Sequence, residues 1–291
     1  MLLKGSMMKC LIVLILTFLA ASKVGLQGNY AKKYLSDNRD TILFNACIFC
    51  VASFIFLPSV VGTSIQTIFF SIGFACCTVV FQLTYTKALS LGNVSLTVML
   101  VNLSMLFPVI LSTVYFNESL SFLRGVGILL TLISFLFSVN IQTKEKSSKK
   151  WFLFTMVAMI ANGGIGVIQK FFGMSQFCQE KSSFVAWAYI FASALAFIVF
   201  CMIKHKGNAK THVNKSFFFY AIIIGCILGC FQLLNTYAIA TINGTFLFPT
   251  YAGGSIILST ALSLLWCRER LHGKQAISLI IGIVAIILMN F

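Results

Sequence analysis

Phe81-Gln82-Leu83-Thr84-Tyr85-Thr86-Lys87-Ala88 recurs 150 residues later as Phe231-Gln232-Leu233-Leu234-Asn235-Thr236-Tyr237-Ala238. From Phe81 to Asn93, six of thirteen positions are identical at this offset, and farther on Asn140 meets Asn290. Apolar stretches match one another easily by chance. Gln, Thr and Asn at one fixed offset do so far less, so the match marks an internal repeat. Its edges extend the correspondence. Gly25-Leu26-Gln27 resembles Val167-Ile168-Gln169 near the start of each copy, and Glu118-Ser119-Leu120 resembles Glu269-Arg270-Leu271 near the end.

Both copies lie in apolar surroundings. Of the 291 residues, 59% are apolar and 9% charged, against about 25% charged in a soluble domain. The polar cover that a water-soluble fold needs is missing, which fits lipid as the solvent and helices that satisfy their own backbone groups. Runs of about 20 apolar residues, the length that spans a bilayer, fall at 8–28, 41–61, 66–88, 94–115, 123–141, 151–172, 184–203, 216–239, 245–265 and 275–290. The expected fold is an all-α membrane protein of ten transmembrane helices, built as two five-helix repeats over 1–143 and 151–291. An odd number of helices per repeat makes the second copy cross in the opposite sense, the inverted arrangement of many secondary transporters.

The N-terminus also has the look of a secretory signal, with Lys4 and Lys9, an apolar run and then Ala20-Ala21-Ser22. The counterpart of this segment in the second repeat argues that it is kept as the first helix. The formal charge of +15 does not signal nucleic acid, because the cations sit in short gaps between apolar runs. Loops on one side hold Lys32, Lys33, Arg39, Lys144, Lys146, Lys149, Lys150, Lys204, Lys206, Lys210, Lys215, Arg268, Arg270 and Lys274, and the other side holds Lys4, Lys9, Arg124 and Lys181. Fourteen against four puts both termini outside a plasma membrane by the positive-inside rule.

Ten cysteines are present, nearly all inside apolar runs, where they read as small packing residues. Cys47 and Cys50 form a C-x-x-C with no partner pair or nearby His, too little for zinc or redox chemistry. His205, His212 and His272 fall in basic loops. No metal and no cofactor is expected, and no G-x-x-x-x-G-K-[ST] is present for ATP hydrolysis.

Several features together resemble the drug/metabolite transporter superfamily in its EamA-like branch. These are the five-plus-five repeat, the polar stretches Tyr85-Thr86-Lys87-Ala88-Leu89-Ser90 and Tyr237-Ala238-Ile239-Ala240, the following helices with Pro108 and Pro249, and the late acids Glu118 and Glu269. The resemblance implies a ten-helix exporter or exchanger of amino acids, metabolites, nucleotide-linked sugars or drugs. Small proton-coupled exporters of the superfamily carry an acid in their first helix. Here that helix has Lys23 and no Asp or Glu, so a carboxylate-centred proton exchange does not fit.

Polar residues inside spans are costly unless they find partners, and they mark the expected substrate cavity: Lys23, Gln27, Gln82, Asn102, Asn162, Gln169, Gln232, Asn235 and Tyr237. Lys23 reads either as a cation facing an anionic substrate group or as a chain snorkelling to the interface. Lys87 and Lys170, near span ends, read as snorkelling. Gly163, Gly164 and Gly166 suggest a broken segment or close packing, and Gly225 with Gly229 suggests packing. Pro108 and Pro249 are expected to kink their helices. Glu118 is expected to pair with Arg124, and Glu269 with Arg268 and Arg270. The function expected is a secondary transporter of a small anionic or zwitterionic metabolite, acting as a monomer or weak homodimer in the lipid bilayer. A lipid-phosphate flippase is the alternative, and a membrane enzyme a weaker one, since the six acids are scattered in loops.

Overall fold

The computed structural model describes residues 2–35, 38–60, 62–92, 94–138, 149–202, 215–267 and 273–289. They are helical with short connections, and no strand occurs among them. The helices are α1 (Leu2–Tyr34), α2 (Asn38–Phe56), α3 (Ile65–Leu91), α4 (Val94–Asn102), α5 (Leu106–Val114), α6 (Phe122–Ser138), α7 (Lys149–Gly173), α8 (Lys181–Met202), α9 (Lys215–Thr241), α10 (Gly244–Cys267) and α11 (Gly273–Met289). Residues 139–148 between the two copies, the basic loop around His205 and His212, and the segment with Glu269 and His272 lie outside the described residues.

Six described segments are long and apolar enough to cross a bilayer: Lys9–Ala31, Arg39–Phe56, Ile65–Leu91, Lys149–Gly173, Cys178–Met202 and Lys215–Thr241. Leu100–Val114 and Phe122–Ser134 are shorter apolar helices. The burial pattern is that of lipid-facing helices. On α3, Thr67, Ser71, Thr78, Gln82 and Thr86 are buried, while Phe69 is 70% exposed and Ile65 68% exposed. Polar groups point inward, Thr67, Ser71, Gln82 and Thr86 among them to hydrogen-bond partners, and large apolar ones outward, as hydrocarbon demands.

Local chemistry sets the helix limits. The Ser64 hydroxyl accepts from the Thr67 amide and caps α3. Leu103–Met105 forms a 3₁₀ turn between α4 and α5. Pro108 explains it: with no N–H to give the Ser104 carbonyl, and a ring that crowds it, the α-ladder cannot continue there. Pro249 sits inside the continuous α10 instead, so of the two expected kinks only the one at Pro108 breaks its helix. The α7 glycines are also in a continuous helix. A Cβ on Gly163 would lie 2.6 Å from the Phe107 ring and one on Gly166 3.0 Å from Pro108. Close packing of α7 against α5, and not a broken segment, is what these glycines provide. Gly225 and Gly229 do the same for α9 against α2, beside Ile48, Val51 and Ala52.

The two repeats interlock. α3 packs on α7 and α8, α2 on α8 and α9, α1 on α9 and α10, and α6 on α11. Contacts define two ends of the bundle. At one end Ser64, before α3, donates to Glu180, before α8, and Trp187 donates to Thr63. At the other end Trp151, in the first turn of α7, donates to Thr97 and lies against Gly92, after α3. Tyr30 there stacks on Phe44 and meets Tyr220. We call these the first and second face. α1 runs from the first face to the second, and its counterpart α7 runs back, so the repeats are antiparallel.

Candidate functional site

The repeated Gln-x-x-x-Thr of α3 and α9 builds the same object twice. On α3, Gln82 Nε2 donates to Gln27 Oε1 of α1 (3.0 Å), and Gln27 Nε2 donates to Thr86 Oγ1 (2.6 Å). On α9, Gln169 Nε2 of α7 donates to Gln232 Oε1 (2.9 Å) and to Thr236 Oγ1 (3.0 Å). Each threonine hydroxyl also reaches back to the carbonyl of its own glutamine, at 2.7 Å for Thr86 and 2.8 Å for Thr236. Helical spacing makes this work: residues four apart stand on one face, so each Gln and Thr together grip the glutamine of the neighbouring helix.

The clusters differ in their additions. Thr86 Oγ1 lies 3.2 Å from Asn45 Oδ1, and Asn45 Nδ2 donates to the Thr41 carbonyl. Lys23 Nζ donates to Gln82 Oε1 at 3.2 Å and stands 5.6 Å from the Phe81 ring centre. It is half-buried and has no carboxylate partner among the described residues. The second cluster gains Asn235, whose Nδ2 donates to Gln169 Oε1 (2.9 Å). Among the described residues Asn235 Oδ1 is buried without a hydrogen-bond partner, a costly state that a donor relieves. The Gln27 cluster lies toward the second face, and the Gln169 cluster toward the first.

A cavity of about 30 Å³ adjoins the Gln169 cluster, lined by Ser104, Asn162, Gln169, Gln232 and Asn235 together with Phe231, Phe248 and Tyr251. That space holds a water or two, and a metabolite needs more. Both repeats line it, through the 3₁₀ turn and Pro108 on one side and α7, α9 and α10 on the other. Asn162 Nδ2 donates to Ser104 Oγ (2.6 Å) across the repeats.

Four of the nine residues expected to form the site therefore line one cavity: Asn162, Gln169, Gln232 and Asn235. Gln27, Gln82 and Lys23 form the mirrored cluster instead. Asn102 bonds to Ser255 of α10 at 3.4 Å and does not line the cavity. Tyr237 departs most. It is 39% exposed on the outer side of α9 and receives the Lys181 ammonium over its ring at 5.0 Å, because two positions past Asn235 the helix has turned away from the cavity.

Two charge assignments are also corrected. Lys170 does not snorkel: its side chain is 1% exposed and forms an ion pair with Glu118. Glu118 is thus paired with Lys170, while Arg124 Nη1 lies 3.5 Å from the Ser119 carbonyl. The residues not anticipated are Ser104, Tyr251, Thr86, Thr236 and Asn45. The two threonines are identical at the 150-residue offset and were open to detection. A lone serine or tyrosine in an apolar helix carries no such signal. No group of three or more metal-ligating side chains occurs among the described residues, and the cysteines described there are free.

The sequence model of the EamA-like transporter family matches residues 11–140 and 149–291, once for each repeat. A solved structure described only as "Crystal structure of protein" superposes with a TM-score of 0.77 at 15% identity, over 96% of this chain and 95% of the other. At that identity the likeness is one of fold. No curated protein matches the chain by sequence.

Proposed function

We propose, from the premise that the chain belongs to the EamA-like transporter family, that this membrane transporter of small molecules is a secondary carrier working by alternating access. In this reading ten spans cross the plasma membrane, with the interrupted α4–α5 segment as one of them and both termini outside. The observation that carries it is the doubled cluster, Gln27–Gln82–Thr86 and Gln169–Gln232–Thr236, placed at opposite depths by antiparallel repeats. Two equivalent clusters that exchange environments give one pathway two access states without any fuel domain.

The substrate is a small polar metabolite. Its neutral polar part meets the amides and aromatic faces of the cavity, and Lys23 favours a carboxylate or phosphate, as an intramembrane cation without an acid does. Purified protein in liposomes, tested with labelled amino acids, organic anions and lipid phosphates, checks this reading. Protein-dependent flux of a soluble anion or zwitterion, lost in Lys23→Met, is the expected result. Unchanged flux in a well-folded Lys23→Met protein removes Lys23 from recognition. Movement of lipid phosphates alone replaces the carrier with a flippase.

A further inference from the structure

The Glu118–Lys170 pair belongs to neither amide cluster, and it has no mirror image: at the offset that relates Gln27 to Gln169, the counterpart of Lys170 is Gly28. An ion pair this buried, Lys170 1% and Glu118 12% exposed, costs desolvation that its own attraction barely repays. Three helices agree on where it stands. On α5, Pro108 lines the cavity, and Ser112, one turn farther on, accepts from the Glu118 amide at 3.0 Å. On α7, Gln169 lines the cavity and Lys170 is the next residue. On α10, Phe248 lines the cavity and Gly244 lies one turn before it. The contacts of Glu118 on α5 and α10 are therefore one helical turn, about 5 Å, outside the cavity toward the first face, and Lys170 stands on α7 at the cavity's edge on that side.

The pair joins elements of different repeats. Glu118 comes from the connection after α5, where Asn117 adopts a positive φ of 49°, a conformation Asn tolerates better than most residues. The reversal aims the carboxylate at the start of α10. There Oε2 accepts from the Gly244 amide (2.8 Å) and the Thr245 amide (3.3 Å), a helix N-terminus that favours a negative charge. Oε1 takes Lys170 of α7. Gly244 is needed for this approach, since a Cβ there would lie 2.3 Å from Ser112 Oγ. Rings close over the pair: Lys170 Nζ is 5.5 Å from the Phe116 centroid, and Phe171 meets both Phe116 and Tyr115.

We propose that Glu118 and Lys170, seated on the N-terminus of α10, are the gate that closes the pathway on the first face and separates when the cavity opens there. The proposal rests on the carrier reading, but it is tested without a substrate. The Ser104→Cys variant places a thiol in the cavity, where no native cysteine lines the wall. It is reconstituted in liposomes and treated from the first face with a membrane-impermeant maleimide, and labelling at position 104 is read by peptide mass spectrometry. With the pair intact, labelling is slow. Adding Glu118→Gln, which leaves Lys170 buried without its counter-charge, accelerates it at least about tenfold, the factor given by about 1.4 kcal/mol of lost closed-state stability. Adding Glu118→Gln and Lys170→Met together removes both charges and keeps the accelerated labelling without a stranded cation, which guards against misfolding of the single variant. Equal labelling rates in all three folded proteins overturn the gate and leave the carrier reading standing. Gated labelling with no flux of any tested solute leaves the gate and sinks the carrier reading. In a protein with active flux, a bifunctional thiol reagent joining Glu118→Cys to Lys170→Cys is expected to stop transport until reduced. Undiminished flux after cross-linking overturns the gate.

Discussion

Gln169→Leu removes a side chain of similar size that makes three interhelical bonds from α7 to α9. It donates to Gln232 and Thr236 and accepts from Asn235. Thr236 keeps its bond to the Gln232 carbonyl, but Gln232 Oε1 loses this donor and Asn235 Nδ2 loses this acceptor. At an average of about 0.6 kcal/mol per interhelical bond in membranes, three bonds amount to roughly 2 kcal/mol. The mirrored Gln27→Leu breaks two such bonds, to Gln82 and Thr86, and is expected to cost about 1 kcal/mol on the same scale. Lys23 still reaches Gln82 there, which softens the loss further. Reversible unfolding in mixed micelles measures both variants. A double-mutant cycle with Asn235→Leu then isolates the Gln169–Asn235 bond. A Gln169→Leu protein as stable as the parent, or a ranking with Gln27→Leu more damaging, refutes the assignment of three interhelical bonds to Gln169 against two to Gln27.

Gly225→Val is expected to lose about 1–3 kcal/mol by overpacking, because even a Cβ would meet Ile48 O and Val51 at 2.8 Å. Gly125→Ala, with nothing within 4 Å of the added carbon, should leave thermal stability in detergent unchanged or raised. Pro108→Ala restores an N–H for the Ser104 carbonyl. It should protect that amide in hydrogen exchange and slow transport if the interrupted helix must bend, whereas an unprotected amide would show that sequence around Pro108, and not Pro108 itself, sets the break. Tags on both termini should be labelled by impermeant reagents on intact cells, and a C-terminal tag reached only after permeabilisation would contradict the assigned orientation.

How far the sequence reached is clearest at particular residues. The repeat was legible because Phe81-Gln82 and Phe231-Gln232 share polar neighbours at one offset, and the membrane class because charge is scarce. Gln169, Gln232, Asn235 and Asn162 were recognisable as cavity residues, since an amide in an apolar span must find a partner. Tyr237 was misjudged because its place in the repeat says nothing about which way it faces. Lys170 was misjudged for another reason. Near a span end a lysine ordinarily reaches for water, and only a carboxylate from the other repeat changes that balance.

The sequence by itself determined the all-helical membrane class and the pairing of the chain into two copies. These depend on composition and periodicity, which act within one segment at a time. Tertiary structure alone decided that the amides form two separate clusters, that the cavity adjoins just one of them, and that Glu118 reaches Lys170 and the start of α10. Those outcomes depend on how helices from different copies are rotated and set against each other. Packing of glycines on side chains and partner-seeking by buried polar groups fix that arrangement, and neither is written in any one stretch of the chain.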